Sequence, residues 1–120
     1  MPRNILILED DNELLLLYNR TLTKAGYRVY LARSISTARE RLQAYDIDLF
    51  ICDLHVDDVL SIQHLRDELA VLRQKQIPVI VVSGNHDMKG ECEQLGFEFV
   101  LKPITLHELP GLVGYALNAT

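Results

Sequence analysis

Five side chains that could do chemistry stand directly after short apolar runs of this sequence. They are Glu9, Asp10, Asp53, Ser83 and Lys102. If the runs are strands of one parallel sheet, their carboxyl ends share an edge, and these side chains converge there. Crowded carboxylates repel each other, and oxygen ligands without a His or Cys cluster favour Mg²⁺ as the cation that relieves the repulsion. A carboxylate in such a site can act as a nucleophile and form an aspartyl phosphate, and a lysine suits a phosphoryl oxygen.

The apolar runs are the predicted strands of that sheet. Runs of this length, rich in Ile and Val, are typical of parallel strands that are buried on both faces. The runs are Ile5–Leu8, Val29–Leu31, Ile47–Cys52, Val79–Val82 and Phe97–Leu101. Only Ala32 and Arg33 follow the second run, which suits an edge strand.

Segments with helical spacing of apolar residues separate the runs. The first carries Leu14, Tyr18 and Leu22 on one face. The stripes of the next three predicted helices are Ile35, Ala38 and Leu42; then Ile62, Leu65, Leu69 and Leu72; then Met88, Cys92 and Leu95. The last opens with a capping-box pattern, Thr105 to Glu108, but Pro110 predicts a late start or a kink there. Strands and helices alternate five times, which predicts an α/β fold with a five-stranded, doubly wound (βα)5 parallel sheet.

Composition and charge exclude several function classes. The chain has 120 residues, 48% hydrophobic and 24% charged, which is typical of one globular domain. Its net charge of −5 disfavours direct binding of nucleic acid. We find no signal peptide and no apolar run long enough to span a membrane. Cys52 and Cys92 lie in apolar patterns, which predicts buried thiols and a cytoplasmic location.

The residues at the strand ends, taken together, resemble the response-regulator receiver domain of two-component signalling. The motifs that carry the resemblance are ILILEDD, LFICDL, PVIVVSG and VLKP, and it covers essentially the whole chain. No single motif is specific for this family, whereas the four motifs in this order are. The resemblance implies a single receiver domain over residues 1–120 with the flavodoxin-like strand order 2-1-3-4-5. It also implies a signalling domain whose only chemistry is its own phosphorylation and dephosphorylation, and not an enzyme.

The resemblance also implies the roles of the phosphorylation residues. Asp53 would be the phosphoacceptor, which takes its phosphoryl group from a sensor histidine kinase, and Lys102 would contact that group. Glu9, Asp10, Asp53 and the backbone carbonyl of His55 would hold Mg²⁺. Positioning and charge neutralisation would then supply most of the catalysis.

Two further residues match the switch of the family. Ser83 would supply a hydroxyl that moves to the phosphoryl group, and Phe99 would be the aromatic side chain that turns inward with it. Phe99 stands where a tyrosine is usual, so its ring can rotate but cannot donate a hydrogen bond. The switched surface would be formed by the fourth predicted helix, the fifth strand and the fifth predicted helix. It would act on a downstream protein or on a covalently linked output domain.

Each of these residues also has a structural interpretation. Asp53 could cap the following helix, and the acids Glu9–Asp11 could be the acidic first turn of a helix. Ser83 could be a turn residue, Lys102 a solvated loop residue and Phe99 a core residue.

Two other functions compete with the phosphorylation switch. The loop after Asp53 and the segment from Ser83 to Lys102 depart from the usual family pattern, which favours a pseudo-receiver that acts as a phosphorylation-independent interaction module. Loss of Asp53, Asp10 or Lys102 would indicate that alternative, and none is lost. A Mg²⁺-dependent phosphatase would need a second acid where His55 stands.

The sequence also predicts the oligomeric state of the isolated domain. After Lys102 there is no Lys or Arg as far as Thr120. Family members that dimerise through the switched surface commonly use ion pairs there, so we expect this domain to remain a monomer in light-scattering measurements. A symmetric dimer that is held by charge pairs between the fourth and fifth predicted helices, and that dissociates as salt is added, would contradict this expectation.

Overall fold

A computed structural model describes residues 2–54 and 58–118 and shows one parallel sheet. Its strands are β1 (Asn4–Leu8), β2 (Arg28–Ala32), β3 (Leu49–Leu54), β4 (Val79–Ser83) and β5 (Glu98–Leu101). Their order is β2-β1-β3-β4-β5, with β2 at an edge. The predicted strand order is therefore confirmed.

The described residues form six α-helices, where the sequence predicts five. They are α1 (Asn12–Lys24), α2 (Ile35–Ala44), α3 (Asp58–Asp67), α4 (Leu69–Gln74), α5 (Lys89–Gln94) and α6 (Leu109–Asn118). The third predicted helix is divided into α3 and α4 at Glu68, although backbone hydrogen bonds from Glu68 to His64 and from Leu72 to Glu68 continue across the junction. The fourth predicted helix is a 3-10 turn (His86–Met88) followed by α5, and the fifth is α6. Within the described ranges, no helix is long and apolar enough to cross a membrane.

The sheet is covered on both faces, as a doubly wound fold requires. Successive side chains of a strand point to opposite faces. In β1, Leu6 and Leu8 belong to one buried cluster, and Ile5 and Ile7 belong to the other. The first cluster packs against α2, α3, α4 and α5, and the second packs against α1 and α6.

The last helix starts late, as Pro110 predicts. The Oγ1 of Thr105 accepts a hydrogen bond from the backbone N–H of Glu108 at 3.1 Å and donates to its carboxylate at 3.0 Å. The helix itself begins at Leu109. Pro110 is then the second helical residue, where the missing N–H removes no intrahelical hydrogen bond.

His64 is a buried histidine in α3, with only 3% of its surface exposed. Neither ring nitrogen has a hydrogen-bond partner in the part of the chain that the structure describes. Burial lowers the pKa of His64 below its ordinary value of 6.5; Glu68 opposes this shift, Arg39 adds to it and Asp67 opposes it. Arg39 is itself paired with Glu68 at 2.6 Å. The neutral imidazole is therefore the form that the fold favours.

This lowered pKa predicts a loss of stability in mild acid. As the pH falls from 6.5 toward the lowered value, the unfolded chain binds a proton at His64 that the folded chain does not bind. The free energy of unfolding therefore decreases over that window. We expect His64→Leu to have a shallower pH dependence than the wild type in urea titrations between about pH 7.5 and pH 5. The matched control is His107→Leu, because His107 is exposed; equal slopes for His64→Leu and the wild type would contradict the prediction.

Candidate functional site

Asp53 lies near the carboxyl end of β3 and faces α1 because of strand alternation. Leu49 and Ile51, at the alternate positions before it, belong to the cluster that packs against α1 and α6. Asp53 continues this alternation and is only 5% exposed. A carboxylate that is buried in this way needs charged or hydrogen-bonding partners.

Both oxygens of the Asp53 carboxylate have such a partner. The ammonium of Lys102 lies 2.6 Å from Oδ1, and the hydroxyl of Tyr18 donates a hydrogen bond to Oδ2 at 3.0 Å. Lys102 follows β5, two residues after Val100, which packs against the same cluster as α1. The side chain of Lys102 is 22% exposed and that of Asp53 is fully buried, so water screens this ion pair only partly. The structure thus brings together two of the residues that the sequence predicts, Asp53 and Lys102.

Glu9 stands beside Asp53 at the same edge of the sheet. Leu8 pairs with Cys52, so Glu9 and Asp53 are the next residues of two adjacent strands. Glu9 is fully buried, and its Oε1 accepts a hydrogen bond from the backbone N–H of Asp11 at 3.2 Å. Two carboxylates therefore lie side by side at the predicted edge, one in β3 and one directly after β1.

The two acids after Glu9 differ in their surroundings. Asp10 is exposed to solvent. Asp11 is the N-cap of α1, and its side chain accepts a hydrogen bond from the backbone N–H of Leu14 at 3.1 Å. The structural interpretation of this acidic run, the N-terminus of a helix, therefore applies to Asp11, and Asp10 is exposed to solvent.

Ser83 and Phe99 belong to the opposite face of the sheet. Ser83 is fully buried and alternates with Val81, which lies in the cluster of α2 to α5, and Phe99 packs against that same cluster. The Oγ of Ser83 accepts a hydrogen bond from the backbone N–H of Asn85 at 3.0 Å. The backbone carbonyl of Ser83 accepts from the N–H of Lys102 at 2.9 Å. This contact connects the predicted switch serine to the loop that carries the lysine.

Tyr18 is the site residue that sequence reasoning missed. Its place in the apolar stripe of α1 predicts a core residue, and its ring is indeed buried, with 3% exposed. Burial raises the pKa of the Tyr18 hydroxyl, and the carboxylates of Asp53 and Glu9 raise it further, so the group stays protonated and donates. The sequence did contain an indication of this role. A buried tyrosine hydroxyl needs a polar partner, and Tyr18 lies on the helix that follows the acidic run Glu9–Asp11.

The donor set at the sheet edge suits Mg²⁺. In the described part of the chain, no three His, Cys, Asp or Glu side chains are placed to hold a metal ion together. Mg²⁺ does not need such a cluster, because it retains several waters and takes one or two carboxylates. Glu9, Asp10 and Asp53 offer oxygen atoms only, which fits this preference. His55, whose backbone carbonyl is a predicted ligand, lies outside the described residues.

Comparison with known proteins identifies the family. A family model described as the response regulator receiver domain matches residues 5–113. The DNA-binding transcriptional regulator NtrC of Rhizobium meliloti (strain 1021) is 28% identical over 118 residues, which are 94% of this chain and 24% of that protein. The TorCAD operon transcriptional regulatory protein TorR of Escherichia coli (strain K12) is 28% identical over 112 residues, 91% of this chain and 47% of that protein. The chain thus spans about a quarter to a half of the length of these relatives.

Solved structures agree with the family model. The receiver domain of the TMAO respiratory system response regulator TorR superposes with a TM-score of 0.84 at 26% identity, covering 98% of each chain. A CheY-like receiver domain protein from Methanospirillum hungatei JF-1 superposes with a TM-score of 0.87 over 99% of this chain and 96% of that chain. Its 19% identity shows the shared fold alone. Because the family model covers most of the chain, this protein belongs to the response regulator receiver domain family.

Proposed function

We propose that Asp53 accepts a phosphoryl group from the phosphohistidine of a sensor kinase in a Mg²⁺-dependent reaction. The observation that carries the proposal is the ion pair between Asp53 and Lys102, 2.6 Å long, with Glu9 directly after the adjacent strand. A lysine at this distance supplies positive charge where the phosphoryl oxygens would lie. Phosphoryl transfer needs this kind of positioning and charge neutralisation more than covalent catalysis.

The proposed transfer replaces the bond from phosphorus to the histidine nitrogen by a bond from phosphorus to an Asp53 oxygen. A carboxylate oxygen of Asp53 attacks phosphorus, the phosphorus–nitrogen bond of the phosphohistidine breaks, and its electron pair remains on the imidazole nitrogen. Lys102 then moves with the negative charge from the carboxylate toward the phosphoryl oxygens. Asp10 and Asp53 would be the carboxylates that hold Mg²⁺, with Glu9 beside Asp53, and the ion would supply further positive charge at those oxygens when bound.

The proposed switch starts from the hydrogen bond of Ser83. Its hydroxyl now accepts from the backbone N–H of Asn85, and it would leave that contact to donate to the phosphoryl group. Phe99, partly buried on the same face of the sheet, would follow. The surface that changes is formed by the 3-10 turn with α5, by β5 and by α6.

The relatives suggest what this surface controls. NtrC and TorR are transcriptional regulators that are longer than this chain. The proposed downstream element is therefore a linked output domain or a separate protein in the cytoplasm. The net charge of −5 supports control of such a partner rather than direct contact with nucleic acid.

Phosphorylation by a small donor tests the proposed function. With acetyl phosphate and Mg²⁺, we expect the wild type to gain one phosphoryl adduct in intact-protein mass spectrometry, and Asp53→Asn to gain none because it lacks the nucleophile. Lys102→Ala should reduce the initial rate by about a hundredfold, the usual loss when one charge-stabilising donor is removed. Chelation of Mg²⁺ should abolish the adduct.

The matched control is Asp67→Asn, because Asp67 is exposed in α3 and the substitution is the same. It should gain the adduct like the wild type. Absence of an adduct in the wild type would instead indicate the phosphorylation-independent interaction module. An adduct on Asp53→Asn would place the phosphoacceptor elsewhere.

A further inference from the structure

Tyr18 contributes a hydroxyl to the phosphoacceptor that no family motif assigns. It donates to Oδ2 of Asp53 at 3.0 Å, while the ammonium of Lys102 lies 2.6 Å from Oδ1. One carboxylate oxygen is therefore held by a phenol and the other by an ammonium. These two donors differ in their freedom to move.

Packing of α1 holds the hydroxyl of Tyr18 in place. Leu15 and Leu22, on the same face of the helix, are 2% and 0% exposed, and all three side chains belong to one buried cluster. A ring that is fixed in a close-packed interior cannot carry its hydroxyl far. Lys102, in contrast, has a flexible four-carbon chain and can follow a charge that moves.

The hydrogen bond from Tyr18 depends on where that charge lies. In the free carboxylate of Asp53 both oxygens share the negative charge, so the bond is charge-assisted. In an aspartyl phosphate the charge lies on the phosphoryl oxygens, and the remaining carboxyl oxygen is a neutral carbonyl, which is a weaker acceptor. Tyr18 therefore stabilises the free carboxylate more than the aspartyl phosphate.

We propose that Tyr18 is a positioning residue that shortens the lifetime of the phosphoryl group on Asp53. This inference rests on the proposed function. During hydrolysis a water oxygen attacks phosphorus, the bond from phosphorus to the Asp53 oxygen breaks, and its electron pair returns to the carboxylate. One proton of the water passes to the departing group, which leaves as dihydrogen phosphate. In a loose transition state the carboxylate has already regained most of its charge, and with it the stronger hydrogen bond from Tyr18.

A purely structural role for this hydroxyl makes a different prediction. A buried tyrosine in a core needs a polar partner, and Asp53 would serve only that need. Removing the hydroxyl would then change the free energy of unfolding and leave the hydrolysis rate unchanged. The two roles are therefore separated by kinetics.

The experiment compares Tyr18→Phe with Tyr27→Phe in the full chain. Tyr27 packs against the same cluster, so the control makes the same chemical change next to the same core. Each protein is phosphorylated with acetyl phosphate at saturating Mg²⁺, the donor is removed, and loss of the adduct is followed by mass spectrometry. We expect Tyr18→Phe to lose the phosphoryl group about tenfold more slowly than the wild type, the effect of one weakened charge-assisted hydrogen bond. Tyr27→Phe should match the wild type.

The initial rate of phosphorylation is the second quantity to compare between Tyr18→Phe and the wild type. In a loose transition state the attacking carboxylate still carries its charge and keeps its hydrogen bond, so initial phosphorylation of Tyr18→Phe should change by less than about threefold. A loss rate within about twofold of the wild type would overturn the proposal. A repeat at low Mg²⁺ gives a further check: a slower loss that is seen only at low Mg²⁺ and not at saturating Mg²⁺ would also overturn the proposal, because the hydroxyl would then act on ion binding. Failure of the wild type to gain an adduct would instead overturn the proposed function, and this inference with it.

Discussion

The ion pair between Asp53 and Lys102 is the interaction on which the rest of this site depends. A carboxylate at the end of a strand that is buried on both faces loses most of its hydration, and such a charge is stable only with partners in contact. Lys102 supplies one partner from beyond β5, and Tyr18 supplies the other from α1. The ends of the sheet and the first helix are thus joined through one carboxylate. A change in the charge of that carboxylate therefore alters its contacts with Lys102 and with Tyr18 at the same time.

Strand alternation divides the site between the two faces of the sheet. Asp53 and Tyr18 lie on the face of α1 and α6, whereas Ser83 and Phe99 belong to the face of α2 to α5. A signal that begins at the carboxylate must therefore cross the sheet edge to reach the proposed switch. The backbone hydrogen bond from Lys102 to Ser83 spans this division. It offers a short connection between the Asp53–Lys102 ion pair and the surface that the proposed switch would change.

The sequence predicted the fold more completely than it predicted the boundaries of the elements. Apolar runs and helical stripes were sufficient for a parallel sheet with covered faces, because each pattern reflects burial on its own element. The strand order came instead from the resemblance to the receiver family, because local patterns do not encode which strands pair. The division of the third predicted helix at Glu68 was missed, since the apolar stripe continues through it. The late start of α6 was expected, because Pro110 acts locally on the backbone.

The sequence by itself determined which residues stand at the strand ends, and so identified Glu9, Asp53 and Lys102. The position of each strand along the chain depends mainly on a local apolar pattern, and parallel strands present their ends at one edge. Only the tertiary structure decided that Tyr18 reaches Asp53, a residue 35 positions away. That contact depends on how α1 packs on its face of the sheet, which no local pattern encodes. The same apolar stripe is compatible with a tyrosine that contacts only core residues. The packing of α1 on the sheet is what brings the hydroxyl of Tyr18 to Asp53.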